Sequence, residues 1–379
     1  MLTQALSKYN KTHPKFNYII YLLFFHKVNI IFISVSLLFN ILLIILLSRK
    51  FMLSYKDIIN KIECLEESNL LISALELNIF SVIGKTSMTA KKISGIAKIQ
   101  YEGAEILLNA LAAMGVLFKV KSKYKNTTVT YKHFCSLSPE YKKGTVMLKK
   151  ENRSEYEQLS KIIKFGRDYT QYKSEETLDF RKMFTYAMHE RSELYADKVA
   201  NIICRYNVGK LCDLGSGPGS YSVAILKKDK KALATLIDRP AAIKVARQIH
   251  KNHSTHKRIK FVCGDFFADN FESGFNTILL SNIIHIYNSK ENKKLFKKIY
   301  KALTLGGRII LYDYFLHNNQ IKPYDAALFA VTMLLYTKTG KSYTSAETIS
   351  LLKDTGFMRL KKTNVGNGSS IIEGIKGYD

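Results

Sequence analysis

Residues 210–226, KLCDLGSGPGSYSVAIL, read as a short apolar strand, a glycine-rich turn and a helix in immediate succession, and few folds accommodate that order. Gly215, Gly217 and Gly219 allow the backbone to approach a ligand closely, and the helix that follows offers unpaired N–H groups and the positive end of its dipole. The register discriminates between ligands. A dinucleotide fingerprint, G-x-G-x-x-G, would place its third glycine at Ser220, whereas here the glycines alternate and Asp213 precedes the first of them by two residues. A carboxylate at that strand end repels a pyrophosphate and attracts an amino-acid moiety whose ammonium sits beside a sulfonium.

Two further acids extend the pattern. Asp238 in ATLIDRP closes the next apolar strand, where a carboxylate accepts from both ribose hydroxyls of an adenosine. Gly264 and Asp265 in FVCGDFF close a third, where the carboxylate suits an adenine amino group and Phe266 or Phe267 packs on the ring. From Gly209 onward strand-like runs alternate with helical segments, which predicts an α/β domain with a doubly wound sheet over 209–379.

The rest of the chain divides by pattern. Residues 28–48 are an uncharged apolar run long enough to span a bilayer, so 1–51 reads as a hydrophobic leader with a candidate transmembrane helix. Lysines and arginines flank it about equally, leaving its orientation open, and a start of translation at Met52 is the competing reading. Residues 52–150 give short helices and then a ribbon, with Thr89 as a helix cap, Gly115 as a helix stop and two strands joined by the polar SKYKNTT turn. That order predicts a winged helix. The helix in its recognition position, from Tyr101 to Met114, carries Glu102 and Glu105 and no cation, which points away from phosphates and toward dimerisation. Residues 151–208 form a helical linker with an apolar stripe including Phe184 and Met188.

The 58 Lys and Arg against 31 Asp and Glu leave a net charge of +27, which by itself would raise nucleic acid as a partner. Lysine dominates that excess and arginine is concentrated nowhere, so no nucleic-acid partner is expected. Five cysteines, odd in number and never spaced as C-x-x-C, suit a reducing compartment, with no metal site expected.

DLGSGPG, LIDRP, VCGDFF, SNIIHIYNSKEN and LTLGGRIILYDYFL together resemble the class I S-adenosylmethionine-dependent methyltransferases. The N-terminal pattern, FTYAMHERS and GKSYTSAETISLLKDTGF narrow the resemblance to small-molecule O-methyltransferases of the plant caffeate and animal hydroxyindole type, over about Met52 to the C-terminus. It implies a Rossmann-like seven-stranded sheet behind a winged-helix dimerisation domain, S-adenosylmethionine as cofactor, and a small aromatic or polyketide-like hydroxyl as acceptor. His285 matches the family's general base and Asp313 an acid that orients it. Imidazole suits the task, since it titrates near neutrality and a phenol must lose its proton as it attacks. Ser342 stands where a second acid is usual, Ile286 and Tyr287 where an acid and a Trp follow the base, and Leu305 where a proline precedes GGR. The apolar segment 326–337, with Phe329 and Met333, and the linker residues Phe184 and Met188 are the expected acceptor wall. The alternatives are an N- or C-methyltransferase of the same fold, or an inactive regulator or scaffold that retains the cofactor pocket. The chain is expected as a homodimer, membrane-anchored with its catalytic domain in the cytoplasm, or cytoplasmic if it begins at Met52.

Overall fold

The computed structural model describes residues 52–151, 156–167 and 177–377. Two compact units separate at the Asn69/Leu70 junction. The apolar run at 28–48 lies outside the described residues, and among those described no helix is long and apolar enough to cross a membrane.

The described part of the first unit is the beginning of the helix Tyr55–Glu76. Ser54 and Asp57 close its N-terminus reciprocally: the Asp57 carboxylate accepts from the Ser54 N–H at 2.9 Å and the Asp57 N–H donates to Ser54 Oγ at 3.2 Å. Tyr55, Ile58, Ile62 and Leu65, spaced three and four residues apart along one face, are all exposed.

The second unit opens with short helices on a small antiparallel sheet. Thr89 accepts from the Lys92 N–H and starts the helix Ala90–Ala97. The helix Tyr101–Ala113 stops at Gly115, whose φ of 72° lets the Val116 N–H reach Leu111 O at 2.9 Å. Strands β1 (Met88–Thr89), β2 (Leu117–Val120) and β3 (Lys123–Asn126) pair in the order β1-β3-β2. Ile79, Ile83, Ile93, Leu108 and Leu111 are buried beneath them. The ribbon differs from its sequence expectation. Its turn is at Lys121, with φ 55°, and β3 lies inside the segment read as the turn. TVTYKHF is the helix Thr128–Phe134 instead of a strand, because Thr127 accepts from the Thr130 N–H and that cap prevails over β-branched propensity.

Seven strands form the large sheet: β4 (Lys210–Leu214), β5 (Leu233–Asp238), β6 (Ile259–Cys263), β7 (Phe275–Ser281), β8 (Leu303–Tyr314), β9 (Phe357–Gly366) and β10 (Ser369–Lys376). Their order is β6-β5-β4-β7-β8-β10-β9, and β10 alone runs antiparallel to its neighbours. Side chains alternate between two buried faces: Cys212, Leu214, Ile278, Leu280, Ile309 and Leu311 enter one core, and Leu211, Leu236, Leu279 and Ile310 the other. The chain winds outward from β4 through β5 to β6, then returns to the other side of β4 at β7. The crevice at that reversal, at the carboxyl ends of the strands, is where an open α/β sheet binds ligands.

Candidate active site

The glycine turn leaves β4 with Gly215, Gly217 and Gly219 at φ of 68°, 53° and 72°. A Cβ at Gly215 would fall 2.3 Å from Ile283 Cδ1, and one at Gly219 2.3 Å from Leu236 Cδ2, while at Gly217 it would meet nothing within 4 Å. The outer two glycines therefore serve packing, and the middle one opens onto free space.

Asp238, half-buried at the end of β5, accepts from the Gly217 N–H at 2.6 Å and from its neighbour's N–H, that of Arg239, at 2.6 Å. Burial raises its pKa, and these two N–H groups oppose the rise. Asp213 is fully buried; one carboxylate oxygen accepts from Ser222 Oγ at 2.6 Å and the other has no partner. Burial pushes its pKa up to about 7. The carboxylate expected to attract a ligand ammonium is thus enclosed by protein rather than exposed at the strand end. Ser222 and two histidines that support the turn were missed. His250 Nε2–H donates to Pro218 O at 2.8 Å, and His189 Nδ1 shares a hydrogen bond of 2.7 Å with Ser220 Oγ. The two imidazoles stand edge to face at 5.9 Å, and burial pushes His250 down to about 4. No spacing rule marks such residues, since they come from helices Leu178–Ser192 and Pro240–His250.

Beyond β6, Gly264 leads into Asp265, whose exposed carboxylate accepts from the Phe267 N–H at 2.8 Å. Phe266 lies against the glycine turn, 3.3 Å from where a Gly215 Cβ would stand. Its ring, that of Phe267 and that of Tyr287 form a cluster, with Phe267 and Tyr287 centroids 4.4 Å apart. Burial pushes the Tyr287 hydroxyl up to about 12, with Asp265 and Asp238 also acting on it. The expected cofactor residues thus come to one edge of the sheet, with Tyr287 beside them.

A short turn after β7, Ile284–Ile286, presents His285. His285 Nδ1–H donates to Asp313 Oδ1 at 2.7 Å, and the Tyr314 N–H donates to the same oxygen at 2.8 Å. Both side chains are buried, and Asp313 Oδ2 has no partner. Phe329 meets the imidazole edge to face at 4.8 Å and Tyr314 at 4.8 Å, while Met333 is buried one turn further on. Phe184 is 43% exposed and stacks on Phe180, with Met188 half-buried on the same helix. The structure therefore joins Phe329 to His285 and leaves Phe184 turned outward. Ser342 is buried with its hydroxyl unpartnered. Behind the turn Asn292 donates to Ile284 O at 2.8 Å, and the Tyr343 hydroxyl donates to Tyr287 O at 2.7 Å.

An open face at Gly217, an acid at the end of β5, and an acid and an aromatic cluster after β6 fit a sulfonium-bearing adenosyl amino acid. With the sheet order, they define an S-adenosylmethionine-dependent methyltransferase. The chain belongs to the O-methyltransferase domain family, whose model matches residues 147–358, more than half of its length. It is 24% identical over 314 residues to 3-hydroxy-5-methyl-1-naphthoate 3-O-methyltransferase of Streptomyces sahachiroi, covering 81% of this chain and 91% of that one. It is 24% identical over 300 residues to L-tyrosine C(3)-methyltransferase of Streptomyces lavendulae, covering 75% of this chain and 82% of that one. In fold it is similar to human N-acetylserotonin methyltransferase in complex with S-adenosylmethionine, with a TM-score of 0.74, 20% identity, and coverage of 86% of this chain and 98% of that one.

Proposed function

We propose that the enzyme methylates a phenolic hydroxyl of a small aromatic or polyketide-like molecule, with His285 as general base. The observation that carries this reading is the buried pair of His285 Nδ1 and Asp313 Oδ1 at 2.7 Å beside Phe329. When bound, S-adenosylmethionine supplies an electrophilic methyl group. Asp238 and Asp265 would hold its ribose hydroxyls and adenine amino group, and Gly217 would leave room for its amino-acid end. Asp313 fixes the imidazole tautomer with the proton on Nδ1, so Nε2 is the nitrogen that takes the acceptor proton. The same carboxylate then stabilises the imidazolium. Burial around His285 excludes water that would compete with the acceptor. Incubation with 3-hydroxy-1-naphthoate and methyl-labelled cofactor tests the reading, with a labelled methyl ether as the expected product.

Methylation of a carbon or nitrogen is the second reading, favoured by Ser342 in place of a second acid and by the similarity to the L-tyrosine C(3)-methyltransferase. In that case the label appears on carbon or nitrogen.

The region 52–150 is read here as a winged-helix dimerisation module, supported by its helices and small antiparallel sheet and by the exposed Ile58, Ile62 and Leu65. Residues 28–48 are proposed as a membrane anchor that leaves catalysis in the cytoplasm. Sedimentation and alkaline carbonate extraction test these two readings respectively; a monomer at micromolar concentration or a chain released by carbonate contradicts them.

A further inference from the structure

We propose that Arg167 is a positioning residue for methyl transfer, holding the turn around Lys338 and Gly340 against the backbone of His285. The proposal rests on the reading of His285 as the base. Arg167 Nη1 donates to Lys338 O at 3.1 Å and Nη2 to Gly340 O at 2.8 Å. Gly340 in turn abuts the base: a Cβ there would lie 2.1 Å from His285 O and 2.8 Å from Ile286 C. The guanidinium therefore grips the same residue that blocks His285's own peptide from moving outward.

The turn is anchored on its other side as well. Thr339 Oγ1–H donates to Glu291 Oε2 at 2.6 Å, and Lys341 Nζ to Glu347 Oε1 at 2.6 Å. Glu291 also accepts from the Asn288 N–H, in the capping box that opens the helix after His285. Arg167 supplies the tie from a different part of the chain. It follows the helix Leu159–Phe165, and nearby Tyr156 places its hydroxyl 3.5 Å from Thr332 Oγ1 on the helix that carries Phe329 and Met333. One segment thus meets both the expected acceptor wall and the turn behind the base.

The side-chain chemistry suits this task. A planar guanidinium holds two carbonyls in fixed directions, whereas an ammonium is a single point charge on a flexible stem. Alignment is what the reaction needs, since the acceptor proton must lie within hydrogen-bond reach of the imidazole and a misplacement of about 1 Å costs roughly 10²-fold in rate.

The test uses the full chain with Arg167→Gln and Arg167→Lys beside His285→Ala. With S-adenosylhomocysteine bound, Arg167→Gln should speed hydrogen exchange in residues 284–287 as well as 338–343, while cofactor affinity changes by less than about twofold. This arm needs no acceptor. On 3-hydroxy-1-naphthoate, Arg167→Gln should lower kcat about 10- to 100-fold, Arg167→Lys should lose less, and Arg167→Gln should add nothing in a His285→Ala background. Faster exchange confined to 338–343, or an equal further loss in the His285→Ala background, would overturn the proposal. Full turnover by His285→Ala with Arg167 intact would instead remove the base reading itself.

Discussion

The N–H of Gly217 and the carboxylate of Asp238 lie 2.6 Å apart, tying the middle of the glycine turn to the end of β5. Asp238→Ala removes this brace of the turn and, on the proposed reading, the acceptor for the ribose hydroxyls as well. Calorimetry with S-adenosylhomocysteine should show a loss of about 1.5–3 kcal/mol, the usual worth of hydrogen bonds to a charged group. Unchanged affinity would contradict the placement of the ribose.

Asp213 and His250 give opposite pH signatures. Asp213 is raised to about 7 in the folded protein, so the native state binds the extra proton between pH 4 and 7, and its contribution to stability falls as pH rises through that window. Asp213→Asn should raise Tm at pH 8 by several degrees, corresponding to a few kcal/mol, and change little at pH 4.

His250 is lowered to about 4, so the unfolded state binds more protons between pH 6.5 and 4, and the stability this histidine contributes is lost as pH falls through that range. In denaturant titrations at pH 7 and pH 5, His250→Gln should lose less stability between the two than the wild type. Equal losses would show that burial of this imidazole has no energetic consequence.

Replacing His285, the proposed base, separates chemistry from donor binding. His285→Ala should lower kcat about 10²- to 10⁴-fold with cofactor affinity nearly unchanged, and Asp313→Asn should lower it less, because the amide keeps the shape and loses the charge. Single-turnover assays with labelled cofactor check both. Wild-type turnover by His285→Ala on several phenols would remove His285 as the base.

Gly340→Ala forces a methyl group into a contact of 2.1 Å with His285 O. Overpacking of this kind costs about 1–3 kcal/mol, and the displaced turn should reduce kcat by more than the loss in stability suggests. A crystal structure of this variant should show the 338–343 turn shifted outward; an unshifted turn with full activity would mean that the contact is soft.

What was legible in the sequence depended on local backbone demands. Positive φ at Gly215, Gly217 and Gly219 requires glycine, and carboxylates at Asp238 and Asp265 stand out at the ends of apolar strands. Thr89 and Gly115 were readable as helix boundaries for the same reason. Residues 128–134 misled because Val129 and Tyr131 favour strands, and the Thr127 cap decides otherwise. His250 and Arg167 left no signal, and His189 stood in FTYAMHERS without its role being readable, since each acts across a long stretch of chain through packing rather than spacing. Asp213 was readable as an acid at a strand end, but its enclosure by neighbouring elements was not.

The reversal of strand order at β4 separates two kinds of residue. Asp213 and Asp238 belong to β4 and β5 and Asp265 follows β6, whereas His285 comes from the turn after β7 and Asp313 from β8. Phe329 lies further along the chain still, on a helix after β8. On the proposed reading, substitutions on the Phe329 helix can accumulate while the acids at the ends of β4 and β5 keep their places, leaving the choice of acceptor freer to drift in evolution than the methyl source.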